Sequence, residues 1–325
     1  MLAASLLSVT LLLTACGGSD DSDDAGSSSA SSAGFPVTVN SEYGEVTVDQ
    51  KPERIVALGV EYLDMLDAIG EKPVAFSATG EADKQAVDAS YPWAADLYTD
   101  QYDPSLITSE YKVNVEAVAA ANPDLILGTP SYIGQQQYDQ LSEIAPTYVS
   151  VFAADRDWQD DLTDIGALTG KSAEAAKAIA DVKAEYATAA EKLPGLQGKT
   201  VNSAYYLPAT GEFKLAGSFS WVDFLGLKPA ANQPPPGSPA VSLSAENIDQ
   251  FAGDVVIIQT TDEGRAKLEA DPRFAQLPAS KNGTVLFVDS AQYSAGTSIG
   301  PSSLKWLLPE ILPQLEKSTL NTSGQ

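Results

Sequence analysis

The sequence contains no histidine and only one cysteine among its 325 residues. The lack of histidine excludes catalytic triads that depend on imidazole, cysteine nucleophiles paired with histidine, and metal sites built from imidazole ligands. The single cysteine, Cys16, excludes an intramolecular disulfide. Acid–base chemistry by aspartate and glutamate needs no histidine and stays open.

Positive charge is also scarce. The chain has 19 lysine and arginine residues against 44 aspartate and glutamate residues, a formal net charge of −25. So acidic a chain offers no basic surface to neutralise phosphates, which excludes nucleic acid as a partner. With only four arginines, an anionic ligand would depend on a local cationic patch. The hydrophobic content of 44% and the length are sufficient for two folded domains.

The first residues have the pattern of an exported lipoprotein. Residues 1–14 are almost wholly apolar but too few to span a bilayer, which is typical of the core of an export signal. The segment ends in Leu-Thr-Ala-Cys, which resembles the lipobox of bacterial lipoproteins and implies cleavage before Cys16 and lipid attachment to its thiol. We expect a signal peptide over 1–15 and a flexible Ser/Asp/Gly-rich tether over 16–34.

Two further expectations concern this segment. The basic residues that normally open a signal peptide are missing, so the start of the chain is expected to lie upstream. The alternative is a truncated transmembrane helix with an incidental cysteine, but the small residues before Cys16 and the abrupt polar change after it favour the lipoprotein.

One stretch of the chain occurs twice. Within the stretch 113–128, residues 114–127 match residues 244–257 without a gap, and each copy predicts a helix N-cap, an acidic first turn, an apolar helix face and a buried strand. The aligned pairs include Asn114 with Ser244, Glu116 with Glu246, and Asp124 with Asp254. The repeat predicts a duplication, with two lobes of similar build.

Strands alternate with short helices on both sides of one long helical segment. The pattern predicts an α/β fold with two lobes, 35–170 and 195–325, each with a mainly parallel sheet flanked by helices. Between them, residues 171–194 carry an apolar stripe at spacings of three and four, and about 20 residues give a helix of roughly 30 Å. We interpret it as a stiff connector; the alternative is an ordinary packed helix within one domain.

Several short motifs, in this order, resemble one family. They are Arg54-Ile-Val-Ala-Leu58, Leu66-Asp-Ala-Ile-Gly70, Lys72-Pro-Val74, Asn114-Val-Glu-Ala-Val118, Asn122-Pro-Asp-Leu-Ile126, Leu141-Ser-Glu-Ile-Ala-Pro146 and Asn282-Gly-Thr-Val285. With the lipobox, they resemble the periplasmic-binding-protein family that serves ABC importers of iron–siderophores, haem and cobalamin. The resemblance implies a cleft between two lobes joined by one long helix, a monomer, and no enzymatic activity, resident metal or cofactor.

The resemblance also implies a docking residue in each lobe. Members of the family use one acidic side chain per lobe to bind arginines of the permease, and the motif positions are those of Glu116 and Glu246. The alternative is structural, because a glutamate in a first helical turn stabilises the positive end of the helix dipole by about 0.3–1 kcal/mol. The equivalent placement in a repeated unit favours docking.

Ligand-binding residues are expected in loops that follow strands, where clefts of α/β sheets lie. The candidates are Glu61, Tyr62, Tyr132, Arg156, Trp158, Phe219, Trp221 and Tyr293. Aromatic rings suit a large, flat chelate, and arginine suits an anionic one. Trp158 and Trp221 could equally be core residues. The few arginines favour a hydroxamate or mixed chelate over a catecholate.

The leading hypothesis is therefore a lipid-anchored extracytoplasmic protein that captures an iron(III)–siderophore complex and delivers it to an ABC permease. Within the same family, haem and cobalamin are alternative ligands. From different classes, the alternatives are an exported hydrolase with two catalytic carboxylates and a surface adhesin or sensor lipoprotein. A titration with ferric siderophores, haem and cobalamin separates these hypotheses.

Overall fold

The computed structural model describes residues 34–322, except 79–82, 154–155, 216, 218, 220, 236–237 and 239. The signal peptide and Cys16 lie outside the described residues, as does nearly all of the predicted tether. Among the described residues, no helix is long and apolar enough to cross a membrane.

The first lobe begins with the predicted hairpin, β1 (Val37–Ser41) and β2 (Gly44–Val48), which pair antiparallel. A four-stranded sheet follows, and all its strands are parallel, in the order β4-β3-β5-β6. Its strands are β3 (Ile55–Leu58), β4 (Ala75–Ser77), β5 (Leu125–Gly128) and β6 (Thr147–Val149). All four are buried along their whole length, as their continuous apolar runs predict.

Helices flank this sheet. They are α1 (Val60–Ala68), α2 (Lys84–Ser90), α3 (Val115–Ala120), α4 (Gln135–Ser142) and α5 (Trp158–Leu168), with 3₁₀ turns at Pro92–Ala94 and Thr99–Gln101. Asp83, Asn114 and Asp157 begin three of the helices, because each side chain accepts a hydrogen bond from a first-turn amide.

The predicted connector is a 20-residue helix, α6 (Ser172–Glu191). Its stripe is buried at Val182, Tyr186 and Ala189, while Ile179 is only partly buried. The Tyr186 hydroxyl donates a hydrogen bond to the Leu304 carbonyl at 3.0 Å. The helix thus joins the lobes and also packs against the end of the second one.

The second lobe has a six-stranded sheet with the path β10-β8-β7-β11-β12, and β9 pairs with β7. The strands are β7 (Thr200–Leu207), β8 (Glu212–Leu215), β9 (Lys228–Pro229), β10 (Val241–Ser244), β11 (Val255–Gln259) and β12 (Val285–Val288). Strands β9, β7, β11 and β12 are parallel, whereas β8 and β10 are antiparallel additions.

Among the described residues, six helices complete the second lobe, and several 3₁₀ turns connect its elements. The helices are α7 (Trp221–Phe224), α8 (Asp262–Glu269), α9 (Pro278–Asn282), α10 (Ser290–Thr297), α11 (Pro301–Glu316) and α12 (Thr319–Thr322). The 3₁₀ turns are Pro194–Leu196, Ala245–Gln250 and Phe274–Gln276.

The internal repeat has a structural counterpart. The parallel order β4-β3-β5-β6 of the first lobe recurs as β9-β7-β11-β12 in the second. The aligned aspartates also act alike: Asp124 accepts hydrogen bonds from the Glu53 and Arg54 amides, and Asp254 from the Thr200 amide, at 2.8–2.9 Å. Each carboxylate ties its own strand to the start of the neighbouring one, so the partly buried aspartate of the repeat has a structural role in both lobes.

The second copy differs in one respect. The sequence predicts an α-helix after Ser244, but the structure has a 3₁₀ segment, with Asn247 outside the helical region of φ and ψ. In the first copy Asn114 accepts a hydrogen bond from Ala117 and starts a regular α-helix, whereas the shorter Ser244 side chain reaches only the Glu246 amide. The apolar pattern is shared, but the backbone geometry is not.

Helix α11 of the second lobe is fixed to the first lobe by a buried carboxylate. Asp64 of α1 is fully buried and accepts hydrogen bonds from the Ser302 and Ser303 amides at 2.8 and 2.9 Å. A side chain at Gly300 would collide with this carboxylate, since a Cβ there would lie 2.6 Å from Asp64 Cγ. One turn along, Trp306 contacts Trp93 with ring centroids 5.7 Å apart. The lobes are therefore joined through α11 as well as through α6.

Candidate functional site

The site is built from loops at the carboxyl ends of the parallel strands, as expected for an α/β sheet. In the first lobe Glu61 follows β3, Tyr132 follows β5, and Arg156 follows β6. In the second lobe Tyr293 follows β12 and lies on α10, which packs against α2 of the first lobe. Helix α2 follows β4 and α10 follows β12, so the two lobes are in contact near the carboxyl ends of both sheets.

Tyr132 forms an aromatic surface at the edge of the first sheet. It is partly buried, its ring stacks on that of Tyr111 with centroids 6.4 Å apart and planes 12° apart, and its hydroxyl lies 3.4 Å from the Ala78 carbonyl. Burial raises the pKa of the Tyr132 phenol, and the nearby Glu61 carboxylate adds to the rise. Tyr132 and Glu61 thus belong to one cluster.

Two carboxyl groups of this cluster are poorly solvated. Burial raises the pKa of Glu61 to about 7, with a smaller contribution from Asp161. Burial likewise raises the pKa of Asp161 to about 6, although hydrogen bonds from Tyr148 and Ser150 oppose the rise. Both groups titrate close to neutral pH, so part of the acidic charge is lost there.

Arg156 is the cationic member of the cluster, and it is already paired. Its Nη2 lies 2.5 Å from Asp164 Oδ2, and its side chain is only 24% exposed. The Tyr148 hydroxyl donates to Asp161 at 2.7 Å and lies 3.2 Å from Asp164, which links the carboxylates. The buried Arg156 Nε has no hydrogen-bond partner among the described residues. The cluster has three carboxyl groups and one guanidinium, and the charge of that guanidinium is already neutralised by Asp164. Little positive potential is therefore left to attract an anionic ligand.

The second lobe contributes an uncharged aromatic surface. Tyr293 meets Tyr205 and Phe219 edge to face, with centroids 5.7 and 5.6 Å away. Phe219 is 7% exposed and stacks on Trp221. Gln259 and Ser290 add polar groups, with Gln259 Nε2 3.3 Å from the Ser290 hydroxyl. This wall offers rings and neutral hydrogen-bonding groups.

Three of the predicted ligand-binding residues lie in the core instead. Tyr62 is fully buried, and its hydroxyl contacts Ser150 at 2.6 Å and the Gly128 carbonyl. Trp158 and Trp221 are 4% and 3% exposed and belong to the main hydrophobic cluster. Each lies one or two residues after another candidate residue (Glu61, Arg156 or Phe219), but the helical turn directs it inward. Burial therefore corrects the prediction for these three. Glu61, Tyr132, Arg156 and Tyr293 are only partly buried, and Phe219 is buried against Tyr293. Ligand contact stays a prediction for these five residues.

Sequence reasoning missed several members of the site. Asp161, Asp164 and Tyr148 lie one to three helical turns or one strand away from Arg156, and no motif connects them. Tyr111 lies in a turn without strand or helix periodicity. The only available signal was the concentration of tyrosine and aspartate near strand ends.

The two predicted docking glutamates are exposed. Glu116 is in the first turn of α3 and borders an open groove of about 640 Å³ with Thr108, Lys112 and Gln140. Glu246 is in the 3₁₀ segment after β10, and the electrostatic influence of Arg273 reaches it. Exposure fits docking, which stays a prediction for both residues.

The walls of this arrangement are aromatic rings and a polar network in which Tyr148 and Arg156 link the carboxylates of Asp161 and Asp164. Among the described residues, no group of three or more cysteine, aspartate or glutamate side chains could hold a metal ion. Two lobes with a cleft at their strand ends define a ligand-binding protein. The chain belongs to the periplasmic binding protein family, whose model matches residues 55–291.

Characterised relatives cover most of the chain. It is 27% identical over 293 residues to the ferric-anguibactin-binding protein of Vibrio anguillarum, covering 85% of this chain and 87% of the relative. It is 29% identical over 279 residues to the ferric enterobactin-binding periplasmic protein of Escherichia coli, covering 77% and 83%.

Solved structures share the fold. A periplasmic solute binding protein from Mycobacterium smegmatis matches with a TM-score of 0.70 and 26% identity, over 86% of this chain and 97% of that one. The PiaA protein of Streptococcus pneumoniae in complex with ferrichrome matches with a TM-score of 0.70 and 26% identity, over 87% and 99%. The predicted two-lobed α/β architecture is confirmed.

Proposed function

We propose that this protein captures an iron(III)–siderophore chelate in the cleft and delivers it to an ABC permease. The observation that carries the proposal is the pair of unlike walls at the strand ends: tyrosines and carboxyls on the first lobe, and a ring cluster around Tyr293 on the second. Rings give a chelate broad apolar contact, and the polar groups orient it. The iron arrives fully chelated, so the protein needs no metal ligands of its own.

The charge of the cleft narrows the class of chelate. Glu61, Asp161 and Asp164 outnumber Arg156, which is itself paired with Asp164. A strongly anionic complex would meet like charge in a poorly solvated site, where such repulsion is costly. We therefore expect a chelate of zero or positive net charge, of which ferric hydroxamates are the common kind.

Delivery depends on the exposed faces of both lobes. Glu116 and Glu246 are the proposed contacts with permease arginines, one on each lobe. Closure of the lobes on the chelate would set the distance between the two glutamates, so that a loaded protein presents them correctly.

Cys16 is the proposed site of the lipid anchor, which would hold the protein at the outer face of the cell membrane.

A titration with matched chelates tests the proposal. Ferrioxamine B is a trihydroxamate whose pendant amine makes its iron(III) complex a monocation, and N-acetylation makes the complex neutral without altering the iron site. We expect saturable quenching of intrinsic fluorescence by both complexes, at least as strong for the cation, and weaker binding of anionic ferric citrate.

Four results would contradict all or part of this proposal. If no ferric chelate quenches the fluorescence, siderophore capture is rejected. If haem or cobalamin binds saturably instead, that compound is the ligand. Turnover of a glycan would support the carboxylate hydrolase instead. Preference for ferric citrate over both hydroxamates would keep the capture function but reject the charge argument.

A further inference from the structure

Tyr111 occupies an unusual position. It lies in the turn between Ile107 and Val113, which are bridged antiparallel. The turn is closed by hydrogen bonds from the Thr108 amide to the Lys112 carbonyl and from the Tyr111 amide to the Thr108 carbonyl, both 2.8 Å. Tyr111 has φ = 59°, in the left-handed region where glycine, asparagine and aspartate are far more common than aromatic residues. Its side chain is nevertheless 57% exposed.

A second left-handed tyrosine shows what a structural reason for this conformation looks like. Tyr98 has φ = 50°, and its hydroxyl donates to Asp67 at 3.1 Å and to the Glu71 carbonyl at 2.9 Å. Lys72 Nζ lies 5.6 Å from the centre of its ring. These contacts stabilise the strained backbone at Tyr98.

Tyr111 has no comparable set of contacts. Its hydroxyl makes no hydrogen bond within the described part of the chain, and its one ring contact is with Tyr132. The hydrogen bonds of the turn hold this backbone conformation, but they do not explain why its side chain is an exposed aromatic ring. Residues in sparsely populated backbone conformations are concentrated at binding sites, where the conformation serves the ligand. A buried ring at this position could be explained by core packing. The ring of Tyr111 is exposed, so packing does not explain it.

The direction of the ring identifies the site. Tyr111 is nearly parallel to Tyr132, which follows β5 and lies close to Glu61 at the strand ends of the first lobe. Tyr111 is the more exposed of the two rings, so it continues the aromatic surface of Tyr132 on the solvent side. The two parallel rings together offer a bulky chelate more apolar contact than Tyr132 alone.

We propose that Tyr111 is a specificity-determining residue that contacts the outer part of the bound chelate. The inference rests on the proposed function. Tyr132 contacts the chelate near the sheet, and Tyr111 contacts the substituents that distinguish one chelate from another. The turn that carries Tyr111 also borders the groove beside Glu116, so binding must be measured without the permease to separate ligand contact from docking.

The test uses substitutions that suit the backbone. Glycine and asparagine both accept the left-handed conformation, so Tyr111→Gly and Tyr111→Asn remove the ring without straining the turn. We expect both to weaken binding of the ferrioxamine B complex by roughly fivefold to tenfold, the usual effect of one aromatic contact. Tyr111→Phe keeps the ring and should bind within about twofold of wild type. The melting temperatures of the glycine and asparagine variants should not fall.

Selectivity provides a second readout. If Tyr111 meets the substituents, the affinity ratio between ferrioxamine B and the more compact ferrichrome changes in Tyr111→Gly. Tyr98→Asn is the matched control: it loses the internal contacts of the other left-handed tyrosine, so its melting temperature should fall while both affinities stay unchanged.

The outcomes are distinct. Wild-type affinity and an unchanged ratio in Tyr111→Gly and Tyr111→Asn would overturn the inference and leave the proposed function intact. A wild-type protein that binds no ferric chelate would overturn both. Weaker binding in Tyr111→Gly that Tyr111→Phe restores would support the inference, because only the ring is common to wild type and Tyr111→Phe.

Discussion

The two lobes share one strand order but present different surfaces to the cleft. The first offers tyrosines, three carboxyl groups and a paired arginine. The second offers a ring cluster of Tyr205, Phe219 and Tyr293 without a charged member. The two lobes share the order of the parallel strands, and even the aspartate that ties those strands together, while their strand-end loops differ.

The comparison shows which parts of a duplicated unit are constrained. Asp124 and Asp254 bind backbone amides, so any change there disturbs the sheet. Side chains in the loops at the strand ends contribute little to the sheet, and they are free to specialise. One lobe can therefore orient a polar group of the ligand while the other supplies apolar contact.

The largest expected effect concerns a feature that both lobes retain. Replacing Glu116 and Glu246 together with alanine should abolish iron uptake by cells and leave chelate affinity unchanged, because both side chains are exposed and lie outside the cleft. Radioactive iron uptake and a binding titration measure the two quantities. The matched control replaces one other exposed glutamate per lobe, Glu45 and Glu263, and should transport normally. A loss of affinity in the Glu116 and Glu246 variant would place these residues in the site or the fold.

The joint between the lobes should be the next most sensitive feature. Asp64→Ala leaves the first-turn amides of α11 buried without an acceptor, which should lower the free energy of unfolding by about 3 kcal/mol. Asp64→Asn keeps an acceptor and should lose less. Denaturant unfolding gives the values, and hydrogen exchange at Ser302 and Ser303 should speed up in both variants. Unchanged exchange would mean that α11 does not depend on this contact.

Removing the ring of Tyr293 tests the apolar wall. Tyr293→Ala should weaken chelate binding by about tenfold, near 1.4 kcal/mol, and Tyr293→Phe should keep most of the affinity. Tyr138→Ala is the control, because the ring of Tyr138 packs on Tyr43 at 5.0 Å and not on the cleft cluster. Equal losses in Tyr293→Ala and Tyr138→Ala would indicate a general effect on folding.

The smallest effect tests the charged wall through pH. The folded pKa of Glu61 is about 7 against an ordinary value of 4.5, so the folded state binds more protons than the unfolded state between these values. Wild-type stability therefore falls as pH rises through this range. Glu61→Gln removes this loss and should be more stable than wild type by about 1–2 kcal/mol at pH 8, with little difference near pH 4. Because Asp161 has a pKa of about 6, the free energy of unfolding of the variant still falls with pH, but less steeply. An equal slope in both proteins would show that Glu61 is well solvated.

Much of the fold could be predicted from the sequence, because apolar runs, caps and the repeat act over a few neighbouring residues. The two sheets, the hairpin and the long helix follow from those patterns. Their limit is visible at Ser244, where the same pattern as at Asn114 forms a 3₁₀ segment.

The site was less predictable, because the direction of each side chain around its helix decides whether it faces the cleft or the core. Glu61 and Tyr62 are neighbours in α1 and point about 100° apart, so one reaches the cleft and the other the core. Trp158 and Trp221 open their helices and were directed inward in the same way. Arg156 lies in the loop before α5 and pairs with Asp164 within α5. This pairing depends on the path of the loop, which sequence spacing does not predict.

The central claim is that both walls hold one chelate at the same time, and paramagnetic relaxation tests it directly. High-spin iron(III) broadens amide signals within its vicinity, whereas gallium(III) forms the same complexes and is diamagnetic. With the ferrioxamine B complex, the amide signals of Tyr132 and Tyr293 should both disappear with iron and persist with gallium. Broadening confined to one lobe, or none in either, would contradict the account.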